Sequence, residues 1–536
     1  RVWGWDCHGI PIEHMIEKEL GLEGGKVGIE NYGIGKFNEA CRTAILRFDS
    51  DWQKMIERLG RWVDFEHSYK TMDNTFMESV WWGFKQLHEK DLVYQGRKVI
   101  LYCSRCETPL SNFEIAMDNS YQDVTEASAY VTFKVVGTNN RYLVAWTTTP
   151  WTLFGNVALA VAKDETYVVV EYHSNEYVVS KKLYERVLGT MEDVAIIGEL
   201  SGSDLVGLAY EPLYTFDEIY NDYTCKVYSA EFVTMEEGTG IVHIAPMYGE
   251  DDYQLAQVEK LPAVNVLDLQ GKALDHIEPV KGKYYKKIAG WVLSDLESRE
   301  LLLKQEDVTH SYPYCYRCST PLYYSAIPAW FINVQTLKPK LIEHNESISW
   351  YPSHLKHGRF KKGIESAPDW NISRSRYWGT PMPIWVGETS GSVKVVGSLE
   401  ELREIAVDPS MVDSLTDLHR EFVDTIEVWV DEGRTEKGKR IPEVFDCWVE
   451  SGSMPFASIH YPFENKDKFE KSYPAQFISE YIAQTRAWFY TLHVQSVGLF
   501  DAPAFLNSVT TGTILATDGS KMSKSKKNFP DPWEII

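Results

Sequence analysis

The chain has 536 residues, of which 44% are apolar and 24% are charged, and its formal net charge is −23. This length predicts several domains and a large core. The negative balance argues against general adhesion to nucleic acid, which depends on basic surface, although a local basic groove is compatible with it. No apolar run approaches the roughly 18 to 20 residues of a membrane helix, so we expect no membrane span and no membrane partner.

Hydrophobic patterning divides the chain into α/β and β-rich parts. Apolar residues recur at helical spacing from Phe37 to Gly60 and again over 76–87. The β-branched and aromatic segments after Asp123 predict strands over 130–136, 142–149 and 167–179, the last broken by a Ser174-Asn175 turn. Helical patterning returns over 337–345, followed by a strand-like polar insert over 393–440 and alternating patterns over 476–500. The chain is therefore expected to be α/β with an inserted β-rich module.

Four of the eight cysteines form two Cys-x-x-Cys pairs, namely Cys103, Cys106, Cys315 and Cys318. Four thiolates match tetrahedral zinc in a closed structural site. Both pairs continue into Thr-Pro-Leu, at 108–110 and 320–322, which favours one paired knuckle. Spacing alone leaves open the alternative of two unrelated pairs of free, buried cysteines. We expect structural Zn2+, a reducing compartment and, by default, the cytoplasm.

A glycine- and serine-rich turn with several lysines spans 518–528. Its ammonium groups could neutralise charge on a transferring phosphate, with Lys524 the first choice. A lysine-rich loop is also typical of a solvated surface. The string Lys-Met-Ser-Lys-Ser at 521–525 resembles the signature of class I aminoacyl-tRNA synthetases, where it stabilises the pyrophosphate side of adenylate formation. That resemblance implies catalytic roles for Lys521 and Lys524.

Further motifs resemble the isoleucyl branch of this class. The segment Trp5-Asp6-Cys7-His8-Gly9-Ile10-Pro11-Ile12-Glu13 has isoleucine where the family has leucine, and matches also occur at 370–381, 448–455 and 484–490. The resemblance implies a class I Rossmann-like doubly wound α/β domain, interrupted by a β-barrel-like editing domain and a zinc-binding connective module. The expected divisions are 1–118 for the first catalytic part with a knuckle, 119–308 for editing, 309–390 for the returning knuckle and connective segment, 391–442 for a small insertion and 443–536 for the second catalytic part.

The resemblance also assigns residues to amino-acid activation. Asp6 would hold the substrate ammonium, Trp448 and Trp488 would form walls of the isoleucine pocket, and Glu480 and Gln484 would contact the aminoacyl-adenylate. A carboxylate suits a cation, and apolar walls favour a branched aliphatic side chain. Because the chain has 18 tryptophans, simple packing is the favoured explanation of either tryptophan without the resemblance.

An editing site is expected because one methylene gives an apolar pocket only about 1–3 kcal/mol of discrimination, a limit for which isoleucine against valine is itself the standard example. The segment 146–156 resembles the threonine-rich peptide of the editing domain, and 238–246 with 249–253 resembles its second wall. The implied editing residues are Thr148, Thr149, Thr152 and Asn156 for the ester and water, His243 to obstruct isoleucine, and Asp252 for the amino group. Asp251 is the rival to Asp252, and a threonine run by itself is typical of a plain strand. The set lacks a nucleophile with its base, so water positioned by hydrogen bonds suits it better than a covalent acyl-enzyme.

The sequence departs from the family in several places. The family's His-x-Gly-His motif and its anticodon-binding domain do not occur in it, so we expect inefficient adenylate formation and weak tRNA binding by this fragment. Tyr481 and Ala483 stand where the family usually has glycine and aspartate, which puts a ribose contact in doubt, and Phe154 replaces a common proline. The insert over 393–440 has no cysteines, so no second knuckle is expected there.

The predicted function is ATP-dependent ligation of isoleucine to its tRNA through isoleucyl-adenylate, with hydrolytic editing of valyl-tRNA. The expected partners are tRNA, isoleucine and ATP with Mg2+, and a monomer is expected. A valyl enzyme that edits threonine is the nearest alternative, disfavoured by the segments 7–11 and 453–455. A non-catalytic tRNA-binding remnant is another, which Ala483 favours and the complete editing set disfavours. A zinc-only interaction module would explain the four cysteines alone.

Overall fold

The computed structural model of the protein describes residues 1–47, 49–115, 120–216, 221–520, 522 and 528–535. Within these ranges, no helix combines the length and the apolar character needed to cross a bilayer. Helices and strands alternate along most of the chain, as the mixed α/β prediction requires.

Outside the β-rich module, parallel strands form two small sheets. Val2–Trp5 pairs with Asp64–Lys70, and Asn507–Thr511 lies between Ser349–Tyr351 and Ile478–Tyr481. Among the described residues these strands do not join into the single doubly wound sheet that the resemblance implies. The ring of Trp350, in the second of these sheets, packs against Phe489 of the helix Trp488–Phe500, which is buried along nearly its whole length.

The β-rich module contains two sheets. The larger runs in the order Ala195–Ser201, Thr166–Tyr172, Asn175–Ser180, Arg141–Thr147, Tyr121–Lys134 and Leu302–Pro313, and the smaller has Ala158–Val161 between Lys226–Ser229 and Ile241–Ile244. The predicted strands and the turn at Ser174 are confirmed, and Ser174 has a positive φ of 64°. Side chains on one face of these strands fill a core that includes Trp151, Tyr285 and Leu159, and the opposite face of the larger sheet, with Val144 and Val168, forms a second cluster.

A long antiparallel ribbon connects this module to the rest of the chain. Val93–Cys103 pairs with Tyr323–Ile332 over ten residues, and the short strands Thr108–Pro109 and Trp370–Asn371 extend the sheet. The second ribbon, Tyr121–Lys134 with Leu302–Pro313, belongs to the module itself. The two cysteine pairs lie between the ribbons.

The remaining strands form two small antiparallel sheets. Ser373–Arg374 pairs with Val444–Phe445, and a four-stranded sheet runs in the order Val393–Val395, Ile384–Gly387, Lys437–Arg440 and Val428–Trp429. The helices are Ile10–Glu19, Lys26–Tyr32, Ile34–Leu46, Asp49–Arg58, Asn74–Glu89, Asn112–Ile115, Pro150–Gly155, Tyr184–Val187, Gly202–Leu205, Glu250–Glu259, Glu278–Val280, Tyr285–Ser298, Val334–Asn345, Lys356–Phe360, Lys361–Ser366, Leu399–Ile405, Pro409–Asp413, Arg420–Val423, Cys447–Ala457, Lys466–Ser472, Ile482–Arg486, Trp488–Phe500 and Pro532–Ile535.

Helices predicted over 76–87 and 337–345 are confirmed, and the pattern over 37–60 becomes two consecutive helices. Two predictions were wrong in part. The insert over 393–440 contains three short helices between its strands, and side chains cap the first two, Ser398 and Asp408 accepting hydrogen bonds from the backbone. Within the alternating pattern over 476–500, only Ile478–Tyr481 is a strand, and Trp488–Phe500 is a helix. The sequence did not reveal this helix, because a helix buried on every side lacks the amphipathic period that identifies helices.

Candidate active and editing sites

Most of the residues predicted for editing line a cavity of about 330 Å3 in the β-rich module. Its lining includes Thr148, Thr149, Thr152, His243 and Asp252. The threonines come from the end of the strand Arg141–Thr147 and from the turn of 3-10 helix that follows, in which Pro150 occupies the first turn. The fold thus brings the threonine peptide and Asp252, which are distant in the sequence, to one concave surface.

The opposite wall depends on two glycines. Gly238 and Gly240 have positive φ angles of 72° and 78°, which ordinary side chains disfavour. A Cβ on Gly240 would lie 2.5 Å from the Cβ of Ser180, so only glycine fits there. This turn leads directly into the strand Ile241–Ile244, which carries His243 into the cavity.

His243 is held at both ring nitrogens. Its Nε2 lies 2.9 Å from the hydroxyl of Thr152, and its Nδ1 lies 2.8 Å from the amide nitrogen of Asn156. Asn156 in turn accepts a hydrogen bond of 2.7 Å from the hydroxyl of Tyr210. Burial lowers the pKa of His243 to about 3, so the ring is neutral near pH 7.

Asp252 lies in the first turn of the helix Glu250–Glu259 and accepts a hydrogen bond of 2.8 Å from the backbone N–H of Ala245. Burial raises its pKa to about 6, while the Ala245 N–H opposes that shift. Asp251 is exposed and does not line the cavity. The geometry therefore favours Asp252 over its neighbour as the carboxylate of this site.

A second group of predicted residues meets beside the N-terminal strand. Asp6 follows Val2–Trp5 and accepts a hydrogen bond of 3.0 Å from the hydroxyl of Ser451. The indole N–H of Trp488 donates to the carbonyl of the same Ser451 at 2.9 Å, and Gln484 accepts from the backbone N–H of Trp488 at 3.0 Å. Ser451 stands one helical turn after Trp448 in Cys447–Ala457.

Solvent reaches much of the Asp6 side chain, yet the surrounding protein raises its pKa, and the charge of Glu450 adds to that rise. Glu450 is fully buried and contacts Nδ1 of His8 at 2.5 Å. The other ring nitrogen of His8 lies 2.9 Å from Nε2 of His419. A chain of buried polar groups thus stands directly behind the predicted amino-acid site.

The four cysteines of the two pairs are brought together. Their sulfur atoms all lie within 4.8 Å of one another, with the Sγ of Cys318 at 3.5 Å from Cys103 and 3.7 Å from Cys106. Each pair is followed by a residue with a positive φ, 49° at Glu107 and 57° at Ser319, so the two turns share one conformation. The alternative of two unrelated pairs is excluded by this arrangement.

Two buried arginines connect the cysteine cluster to the amino-acid site. Arg376 donates to the carbonyl of Cys106 at 3.0 Å and to Glu17 at 2.6 Å, and it also pairs with Glu13. Arg374 forms hydrogen bonds of 2.7 Å with both Glu114 and Asp446. Asp446 caps the helix that carries Trp448, so the pair formed by Arg374 and Asp446 lies directly beside that part of the predicted amino-acid site.

The sequence model of the family described as "tRNA synthetases class I (I, L, M and V)" matches residues 1–536. The chain belongs to the class I tRNA synthetases. An isoleucine–tRNA ligase of Clostridium tetani is 46% identical over the whole chain, which covers 51% of that relative, and the cytoplasmic isoleucine–tRNA ligase of Caenorhabditis elegans is 45% identical, with 47% of it covered. The chain spans about half the length of the curated relatives it matches. A solved LeuRS-tRNA-LeuAMS complex of Agrobacterium radiobacter K84 is 16% identical, with a TM-score of 0.40 and coverage of 100% of this chain and 62% of that one.

In this class I synthetase chain, most of the predicted site residues lie either around the cavity of the β-rich module or beside Asp6. Asn156 differs from the expectation, because it does not line the editing cavity and contacts His243 from behind. Glu480 is exposed at the end of its strand, and its carboxylate lies 3.3 Å from the backbone N–H of Tyr481. Lys521 and Lys524 lie outside the described residues.

Sequence reasoning missed several residues of the synthetase sites. Ser451 lies within the matched segment 448–455 but received no predicted role, and Tyr210 lies in a segment without any motif. Phe232, Thr234 and Glu237 also line the editing cavity. Only the proximity of Glu237 to the matched segment at 238–246 could have suggested one of them.

Proposed function

We propose that this chain carries the activation and editing regions of an isoleucine–tRNA ligase. It would join isoleucine to its tRNA through isoleucyl-adenylate and hydrolyse valyl-tRNA. The observation that carries the proposal is the cavity that unites Asp252, His243 and the threonine peptide, in a chain 46% identical throughout to an isoleucine–tRNA ligase.

In the editing cavity, the carboxylate of Asp252 would hold the ammonium of the misattached valine. Thr148, Thr149 and Thr152 offer hydroxyls for the ester and for the attacking water. The ring of His243 occupies space that the longer side chain of isoleucine needs. Among the described cavity residues there is no cysteine, and the one histidine is neutral and fully hydrogen-bonded. Attack by positioned water, assisted by the ribose hydroxyl of the tRNA, suits this lining.

In the activation site, Asp6 would hold the ammonium of isoleucine, and Trp448 and Trp488 would enclose its side chain. Ser451 supports both ends of this pocket, because its hydroxyl contacts Asp6 and its carbonyl contacts Trp488. Glu480 and Gln484 would contact the adenylate, and Lys521 and Lys524 would neutralise phosphate charge from ATP with Mg2+.

The cysteine cluster fits structural zinc. Four sulfurs at about 2.3 Å from a tetrahedral ion lie about 3.8 Å apart, close to the separations from Cys318 to Cys103 and to Cys106. Cys103, Cys106, Cys315 and Cys318 would hold the ion, which would join the outgoing and returning strands. Because protein sulfur atoms would fill all four coordination positions, no position would remain for a substrate, and the ion would have a structural role.

The remaining proposals concern organisation. We propose domain boundaries at 118, 308, 390 and 442, a monomeric state and the cytoplasm as the compartment. The partners would be tRNA, isoleucine and ATP.

The proposal is tested by incubating the purified chain with valyl-tRNA and isoleucyl-tRNA, both prepared on isoleucine tRNA. We expect rapid loss of valine while isoleucine is retained, and slower or less selective hydrolysis by an Asp252→Ala variant. Asp251→Ala is the matched control, because that side chain is exposed and outside the cavity. If neither ester is hydrolysed by a chain shown to bind the tRNA, a non-catalytic tRNA-binding protein replaces the proposal. Selective hydrolysis of threonyl-tRNA on valine tRNA would instead assign a valyl enzyme.

A further inference from the structure

Behind the editing cavity, a chain of hydrogen bonds runs from Tyr210 through Asn156 and His243 to Thr152. We infer that Tyr210 and Asn156 are positioning residues that fix the tautomer and ring orientation of His243, and thereby the selectivity of editing. The part of the inference that concerns selectivity rests on the proposed function. The part that concerns the tautomer and orientation of His243 rests on the hydrogen bonds alone.

Each donor and acceptor in this chain is determined by its neighbours. The amide group of Asn156 donates to the carbonyl of Ala158 at 2.9 Å, which identifies its nitrogen, so its oxygen faces Tyr210 and the tyrosine O–H must donate. The same amide nitrogen can only donate to Nδ1 of His243, which must therefore carry a lone pair.

The neutral ring then carries its proton on Nε2, which donates to the hydroxyl oxygen of Thr152. That hydroxyl gives its own proton to the carbonyl of Thr149 at 2.8 Å. A cationic His243 would present a second N–H to the amide nitrogen of Asn156, which cannot accept it. The geometry thus keeps the ring neutral and prevents its rotation, since a flipped ring would lose both partners.

Tyr210 is a rigid first member of the chain. It is 1% exposed, its ring packs edge to face on Phe133 with centroids 5.3 Å apart, and its backbone N–H donates to the carbonyl of Cys225 at 3.0 Å. Its hydroxyl does not line the cavity. The hydrogen bond to Asn156 therefore gives that hydroxyl a route to the cavity through His243.

The first test compares ester hydrolysis by the unmodified chain, Tyr210→Phe and Tyr214→Phe. Loss of the Tyr210 hydroxyl releases Asn156 and loosens the ring, so we expect isoleucyl-tRNA hydrolysis to rise about fivefold, the equivalent of one buried hydrogen bond. Valyl-tRNA hydrolysis should change little, and the melting temperature should fall by only a few degrees, because the buried oxygen of Asn156 loses one hydrogen bond. Tyr214 donates to Asp295 within the same module but away from the cavity, so its variant should match the unmodified chain. A folded Tyr210→Phe variant with unaltered selectivity would overturn the role in selectivity.

The second test reads the histidine directly and needs no tRNA. Ring 15N chemical shifts of histidine-labelled protein, with His243→Gln used to assign the signal, should show a neutral ring protonated on Nε2 that does not titrate between pH 5 and 8. Asn156→Asp replaces the donor by an acceptor, so its ring should carry the proton on Nδ1. A signal that titrates near pH 6.5, or an Nδ1–H ring in the unmodified chain, would overturn the inference even if editing itself is confirmed.

If the unmodified chain hydrolyses neither ester, the proposed function fails, while the ring shifts still decide the positioning of His243. The two failures are therefore distinguished by different readouts.

Discussion

Two ionisable side chains with opposite chemistry share the editing cavity, and burial shifts both toward their neutral forms. It raises the pKa of Asp252 to about 6 and lowers that of His243 to about 3. The arrival of a substrate ammonium would favour the charged form of Asp252 only, because opposite charges stabilise each other. If the proposed substrate binds, its amino group would therefore change the ionisation of Asp252 alone, while His243 would remain a neutral wall.

The pH dependence of editing follows from Asp252. In the substrate-free protein its carboxyl is protonated below about pH 6 and ionised above it, and only the ionised form attracts an ammonium. We expect kcat/KM for valyl-tRNA hydrolysis to rise as pH increases through about 6 and then to level off. Measurement between pH 5 and 8, with the slower chemical loss of the ester subtracted, checks this.

The same shift affects folding with the opposite sign. The folded pKa of Asp252 lies above the ordinary value near 3.9, so the folded state binds more protons between these values and loses stability as pH rises through that window. Asp252→Asn should abolish both the kinetic inflection and this contribution. An inflection that persists in the variant would assign it to another group.

At this scale, residue types and motif position predicted Asp252, His243 and the threonines, and the fold brings these side chains to one cavity. They could not show that Asn156 acts from behind the cavity, because adjacent motif positions can face opposite sides of a wall. Tyr210 could not be predicted, because it lies 54 positions after Asn156 and only the folded chain brings the two side chains together.

Among the elements, the two cysteine turns are the most strongly specified. Each repeats the same local order of Cys-x-x-Cys, a residue with positive φ, and Thr-Pro-Leu. The repeat predicted one paired knuckle, and the sulfur positions confirm the pairing. The sequence could not show the meeting itself, because the first and second turns are separated by the entire β-rich module.

Metal removal should destabilise these elements. We expect one zinc ion per chain in the purified protein, and a melting midpoint lower by about 5 °C or more after treatment with a strong chelator, because a bound metal stabilises the folded state. Metal analysis and thermal melting followed by circular dichroism measure both.

Cys315→Ser should lose the metal and melt like the chelated protein. Cys225→Ser, which alters a thiol outside the cluster, is the matched control and should keep the ion. Equal melting with and without metal would show that the turns are stable by packing alone.

Elements with clean periodicity were predicted well, as at Asn74–Glu89 and Val334–Asn345. The helix Trp488–Phe500 was mistaken because Phe489, Leu492 and Val494 are all buried, so no polar face marks its period. The short helices of the insert were missed because four to seven residues give too little pattern to separate helix from strand.

For the whole molecule, the core of the β-rich module extends past the proposed boundaries at 119 and 308. Tyr102 and Tyr323 of the connecting ribbon belong to it, and the ring of Tyr323 lies 5.0 Å from Tyr285 and 5.8 Å from Trp151. Removing these aromatic contacts leaves a cavity in the core.

We therefore expect a segment of residues 93–332 to be more stable than a segment of residues 119–308, by about 3 kcal/mol if one large aromatic side chain accounts for the difference. Urea unfolding followed by tryptophan fluorescence measures the free energies. Tyr323→Ala in the longer segment separates packing from metal binding, since it leaves all four cysteines in place. Equal stability of the two segments would support the shorter boundaries.

The ribbon Val93–Cys103 with Tyr323–Ile332 has a topological consequence. Tyr102 and Tyr323 are direct partners in an antiparallel ladder, in which paired residues lie about 5 Å apart. A turn of a few residues would close these strands into an ordinary hairpin, so everything from 104 to 322 occupies the position of a hairpin loop. A gene could gain or lose this whole inserted region at one point without rerouting the polypeptide on either side.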